Sequence, residues 1–162
     1  MKRKSYLPIT QAALIAALYV VLTLISNSFG LSSREIQLRL SEALTILPFF
    51  TSAAIPGLFV GCILANLLTA CAIWDIIFGS IATLLGAIFT HLLRKHKFLA
   101  PIPPIIANTL IVPFVISFVY GSEYSIPFLM ITVGIGEILS CGVLGLILLF
   151  ALDKHKERIF KK

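Results

Sequence analysis

Any chemistry in this chain has to come from a few polar side chains set into long apolar runs. Glu137 lies about 11 residues into the apolar segment Ile126 to Leu152, which at 1.5 Å per residue puts it on the order of 15 Å below a surface. Arg39 and Glu42 open another such run in Q-L-R-L-S-E-A-L-T-I-L-P-F-F, residues 37–50. Lipid tolerates such charges only at its water interface or in a protein-lined cavity. Glu137 is therefore either a ligand or proton site, or a structural carboxylate paired with Arg39 or a backbone group. Glu42, three residues after Arg39, either pairs with it along one helix face or contacts a ligand. Asn66 and Asn108 each sit inside an apolar run, where an amide either reads a ligand edge or bonds a neighbouring helix. Trp74 and Tyr120, with Phe49 and Phe50, either cover a flat ring or face lipid and core.

What is missing narrows the chemistry. The chain has no G-x-x-x-x-G-K-[ST], no H-E-x-x-H and no G-x-S-x-G, so it has no P-loop with which to bind and hydrolyse ATP, and an enzyme is not expected. Cys62, Cys71 and Cys141 fall in or beside apolar segments without metal-ligand spacing and read as small packing residues. No cofactor and no metal are expected.

The elements that must position these residues are membrane helices. With 59% hydrophobic residues, 12% charged residues and a mean hydropathy of +1.03 over 162 residues, the chain carries more apolar surface than a soluble domain of this size can bury. An all-α membrane protein with six spans is expected, at about 8–28, 41–54, 56–73, 75–93, 105–120 and 126–152, in one domain, with a basic tail at 153–162. The run from Ala43 to Ala72 is too long for one ordinary span and is broken at Ile55-Pro56-Gly57, where the proline disfavours helix in the residue before it.

The charge pattern supports that split. Eleven of the 13 Lys and Arg residues lie in three groups: Lys2 to Lys4, Arg94 to Lys97, and Lys154 to Lys162. With six spans all three groups share one side, so both termini are placed in the cytoplasm of a multi-pass cell-membrane protein. The net charge of +6 is thus assigned to topology and contact with lipid, and no nucleic-acid partner is expected. Glu35, Glu42, Asp75, Glu123 and Glu137 lie on or toward the outer side with Arg34 and Arg39 as the cations there, which favours a ligand with donor groups or positive charge. In the first span, Ala12 with Ala16 and Ala13 with Ala17 make two overlapping small-xxx-small pairs. Such a face packs either internally or against another protein.

The run from Gln37 to Phe50 is followed by A-I-P-G-L-F-V-G-C-I-L-A-N (54–66), D-I-I-F-G-S-I-A-T-L-L-G-A (75–87), L-A-P-I-P-P (99–104) and G-I-G-E (134–137). Together, in this order, these blocks resemble the QueT family over nearly the whole chain. These are S-components, the substrate-binding membrane subunits of energy-coupling factor (ECF) transporters for queuosine precursors. The resemblance implies a six-helix fold with an outward pocket, and a partner module made of a transmembrane coupling subunit and two ATPases. It also implies that Ala12, Ala13, Ala16 and Ala17 form the docking face for the coupling subunit, and that the ligand is a 7-deazaguanine base. Such a base offers a ring N–H and an exocyclic amine to one carboxylate. Glu137 is the expected partner of that edge, with Asn66 and Asn108 on the remaining edge and Trp74 or Tyr120 over the ring. Glu42 with Arg39 is a second candidate, above all for a ligand bearing an aminomethyl group. A proton-coupled secondary transporter with Glu137 as proton carrier is the alternative, and a ligand-free scaffold a third.

Overall fold

A computed structural model describes residues 6–31 and 37–159, with Glu157 and Arg158 described by backbone alone. The expectations placed on Lys2 to Lys4, Arg34, Glu35, the Arg158 side chain, Lys161 and Lys162 lie outside the described residues. Among those described, the chain is all-helical without strands. Four helices are long and apolar enough to cross a membrane, and two shorter apolar ones lie between the first and second of these.

Helix α1, Leu7–Ser28, starts with Pro8 in its first turn, where the missing N–H would have had no intrahelical partner. The Leu31 N–H turns back onto the Ser26 carbonyl at 3.0 Å and ends the helix. The next element, at the place of the span expected at 41–54, is a ten-residue 3₁₀ helix, Leu40–Phe49. At about 2.0 Å per residue it reaches roughly 20 Å, short of a hydrocarbon core of about 30 Å. Its residues are mostly buried, Glu42 and Thr45 included, and α1, the helix Ile73–Leu92 and the final helix pack around it. Local bonding favours the tight winding. Pro48 has no N–H to give, and the Thr45 hydroxyl donates to the Glu42 carbonyl at 2.6 Å. The Leu40 N–H is claimed by the Ser26 hydroxyl at 2.9 Å.

Helix α2, Ala54–Leu68, begins just before Pro56, so the break in the apolar run falls at residues 50–53. A Cβ on Gly57 would stand 2.7 Å from the Ala12 carbonyl oxygen, and one on Gly61 3.0 Å from the Ala16 Cα. The two glycines thus let α1 and α2 touch backbone to backbone. Helix α3, Ile73–Leu92, and α4, Ile102–Val119, follow as an adjacent pair. The last long helix is continuous but not uniform: α5, Ile126–Glu137, passes through a π-helical stretch, Ile138–Leu144, into α6, Gly145–Asp153, before the short α7, Lys156–Ile159. Such wide turns are rare and are frequently found at functional sites. Here the stretch begins immediately after Glu137.

Candidate functional site

Side chains from four elements meet at the Glu42 carboxylate. Glu42 is 1% exposed and Glu137 7%. Tyr19 of α1 donates its hydroxyl to Glu42 Oε1, and Asn108 of α4 offers Nδ2 to Oε2 at 3.5 Å. From the final helix, the Cys141 thiol donates to Glu137 Oε2 at 3.1 Å and approaches the Glu42 carbonyl at 3.4 Å. One oxygen of each carboxylate and the Cys141 sulfur lie within 4.8 Å of one another. Residues 137, 140 and 141 share one face of the helix, and Ser140 accepts the Arg39 N–H at 3.2 Å. The close approach is made possible by Gly136, where any side chain would run into the Gln37 carbonyl.

Above this layer lies a cavity of about 310 Å³, walled by Thr23, Gln37, Arg39, Asn66, Val112 and Tyr120 among others. The spacing fixes the order of the two. Thr23, Asn66 and Val112 each stand four residues, one helical turn, beyond Tyr19, Cys62 and Asn108 on the same helices. Tyr19 and Asn108 hold Glu42, so the acids form a layer under the cavity floor. At the rim, Tyr120 donates to Asp75 Oδ2 and accepts the Ala72 N–H, both at 3.1 Å. Asp75 is 5% exposed. Asp75 Oδ1 and the Asn66 amide both border the space beside Gly79, at 3.6 and 3.4 Å from where a Cβ would sit. In chemical terms the arrangement presents carboxylates below, amides on the wall and a guanidinium at the side, a set of groups able to hold a cation or a ligand edge rich in N–H donors.

Of the residues singled out by sequence, the structure gathers Glu42, Glu137 and Asn108 in the lower layer and Arg39, Asn66 and Tyr120 on the cavity wall. It does not bring Trp74 there. Trp74 is half exposed, stacks on Phe78 at 6.1 Å, and lines an apolar groove of about 710 Å³ with Leu110, Phe114 and Phe118. Asp75, the next position and about 100° around the helix, takes the inner face. The pairing of Arg39 with Glu42 along a helix face does not form either, because Arg39 is in extended backbone before the helix begins. Its guanidinium meets Gln37 Oε1 at 3.4 Å. Ala12 and Ala16 lie under α2 at Gly57 and Gly61, while Ala13 and Ala17 face outward.

Four contributors were not singled out for this role. Tyr19 looks like one more core aromatic, and Asp75 like a helix cap beside an interfacial tryptophan. Gln37 sits in a loop. Cys141 carried a usable signal, since it lies four residues after Glu137 and so on the same helix face; it is a partner of that acid and not just a packing residue.

Comparison with known proteins agrees with the resemblance carried by the sequence blocks. Residues 9–154 match the family described as QueT transporter. Among curated proteins, the queuosine precursor transporter QueT of Lactococcus lactis subsp. cremoris (strain MG1363) is 36% identical over 84 residues, covering 52% of this chain and 49% of that protein. The match spans about half the length of this curated relative. No solved structure matches.

Proposed function

The chain belongs to the QueT transporter family, and on that premise we propose that it is the substrate-binding membrane subunit of an ATP-driven ECF-type importer. It captures a queuosine precursor, a 7-deazaguanine base, from the outer side of the cell membrane. A partner module of one coupling subunit and two ATPases then drives delivery inward. In this reading the chain crosses the membrane six times with both termini in the cytoplasm; the 3₁₀ helix, too short alone, makes the second crossing together with the non-helical residues 37–39 before it, and α2 makes the third. The observation that carries the proposal is the polar cavity over Glu42, Glu137 and Asn108, walled by Arg39 and Asn66, in an otherwise apolar bundle. Glu137 takes the ring N–H and exocyclic amine of the base, the amides of Asn66 and Asn108 read the remaining edge, and Tyr120 covers the ring from the rim. Ala13 and Ala17, exposed on α1, meet the coupling subunit.

The purified protein should be stabilised against heat by a deazaguanine, because a ligand at a hundred times its Kd adds about 2.7 kcal/mol to the folded state. Absence of any shift with the nitrile, the aminomethyl base and the unsubstituted base would overturn the assignment. A second reading, a proton-coupled transporter, draws on the closeness of the two buried carboxylates. Uptake that survives loss of the partner ATPases and collapses with the proton gradient would decide for it.

A further inference from the structure

The exposed face of the α3–α4 pair carries a groove at the end of the bundle away from the acids. Leu85, Phe89 and Leu93, at four-residue steps on α3, make one wall, and Ile102, Ile106 and Leu110, at the same step on α4, make the other. With the small side chain of Ala107 also lining it, the groove holds about 390 Å³. The two helices meet beside it where Gly86 abuts Pro104, and a Cβ there would stand 2.8 Å from the proline Cα. From Ile102 to Ile111, both of which line the groove, α4 rises about 14 Å at 1.5 Å per residue. That is close to half of a hydrocarbon core of about 30 Å, so the groove is one leaflet deep.

The mouth of this groove is charged. Arg94 and Lys95 directly follow Leu93 and are exposed. Asp153, the acid whose side chain is described at this end, is already taken by Lys97 and Lys156. Arg94 meets His91 instead, Nη1 to Nε2 at 3.5 Å, while His91 Nδ1 lies 2.7 Å from the Pro48 carbonyl oxygen. A carbonyl only accepts, so Nδ1 donates to it and Nε2 is left as the acceptor for the guanidinium. The imidazole thus holds Arg94 beside the groove without cancelling its charge. The apolar groove further along the same helix pair has no such mouth: it ends at Trp74, and the turn beyond α4 exposes Glu123.

We infer that the groove at Leu93 and Ile102 is a site for one phospholipid with an anionic headgroup. An acyl chain lies between α3 and α4, and the headgroup rests on Arg94 and Lys95. Length matched to one leaflet and charge at the mouth together select this occupant. In the proposed topology the leaflet is the cytoplasmic one, whose anionic lipids attract basic segments; the site does not depend on the transported ligand. A zwitterionic lipid would fill the groove equally well but lose the attraction to the two cations, each worth about fivefold in affinity.

The test is a native mass-spectrometric titration of the whole, delipidated chain with phosphatidylglycerol and phosphatidylcholine of identical acyl chains. It is run on the wild type, on Arg94→Gln with Lys95→Gln, on Lys154→Gln with Lys156→Gln, and on Ala107→Leu. The wild type should retain one phosphatidylglycerol at least about tenfold more tightly than phosphatidylcholine. That ratio should fall toward one in the Arg94 and Lys95 variant and hold in the Lys154 and Lys156 variant, which removes as many charges from the same end of the bundle. Ala107→Leu, which fills the hollow, should weaken retention of both lipids. Because each ratio is read within one protein, partial loss of folded material cancels. Equal retention of the two lipids by the wild type, or an equal fall of the ratio in both charge variants, would overturn the inference. So would retention unchanged in Ala107→Leu, since the lipid would then sit outside the groove. Loss of a co-purifying protein in Ala107→Leu with no lipid retained by the wild type would assign the groove to a protein partner instead, and the proposed function would stand in each of these cases.

Discussion

The two ends of the bundle treat a buried or half-buried acid in opposite ways. At the end of α6, Asp153 takes Lys97 Nζ at 2.7 Å and Lys156 Nζ at 3.2 Å, so one carboxylate has two cations. At the other end Glu42 and Glu137 lie close together, without an ion pair among the described residues, and are held by a phenol, an amide and a thiol. The first arrangement is complete in itself. It ties the loop between α3 and α4 to the end of the final helix, and it lies partly in water, where an ion pair contributes little. The second holds two acids in place with neutral donors, where an ionised acid is expensive to bury. In the proposed reading an arriving ligand completes the deep acids, whereas a surface acid with two lysines needs nothing further.

Glu137→Gln should break the contrast most strongly. It keeps shape and volume and replaces one carboxyl oxygen with an amide NH₂ at the recognition edge, so ligand affinity should fall by at least about tenfold, the value of one hydrogen bond to a charged group. Wild-type affinity in a titration of that variant would remove Glu137 from recognition. Tyr19→Phe comes next. It takes away the donor that orients Glu42 and leaves a buried oxygen short of a partner, at a cost of about 1–3 kcal/mol. The expected result is a lower melting temperature together with weaker binding, and an unchanged melting curve would show that the phenol does not hold the acid. On the α1 face, Ala16→Leu should destabilise the protein by about 1–3 kcal/mol, since the larger side chain must enter the α1–α2 contact at Gly61. Ala17→Leu, on the outward side, should leave the fold intact and reduce co-purification with a coupling subunit. If the two variants melt alike, the distinction between the faces fails.

Much of the scaffold is readable in the residues, and the reason is local. Pro8 marks the start of α1, the apolar run 126–152 falls on one continuous helix, and the small residues Ala12, Ala16, Gly57 and Gly61 announce close packing. That these four residues meet one another is a fact of the fold, and spacing within either helix does not contain it. The 3₁₀ helix is hidden for the same reason. An apolar stretch such as A-L-T-I-L reads as an ordinary span, and the amides at its start are bound by hydroxyls of Ser26 and Ser140, 14 and 101 residues away. The acid layer was half legible. Each charge in an apolar run stands out by itself, but the convergence of Glu42 with Glu137 is set by the 3₁₀ helix lying across the π-helical stretch. Trp74 and Asp75 show the limit most plainly. Neighbours in sequence, they face opposite environments, and the tryptophan draws attention while the aspartate holds the rim tyrosine.

Asp153→Asn should have the smallest effect, and for that reason sharpens the comparison best. Removing this carboxylate frees Lys97 and Lys156, both of which are exposed enough to be hydrated at once, so no charge is left stranded in a dry site. Ligand affinity should be unchanged, because the clasp lies at the far end of the helices from the cavity. The melting temperature should move little, and less still at high salt, where exposed ion pairs are screened. A large loss of ligand binding in Asp153→Asn would mean that the Asp153 clasp and the buried acids are coupled through the final helix, whose π-helical stretch lies between them. The two ends would then have to be treated as one device.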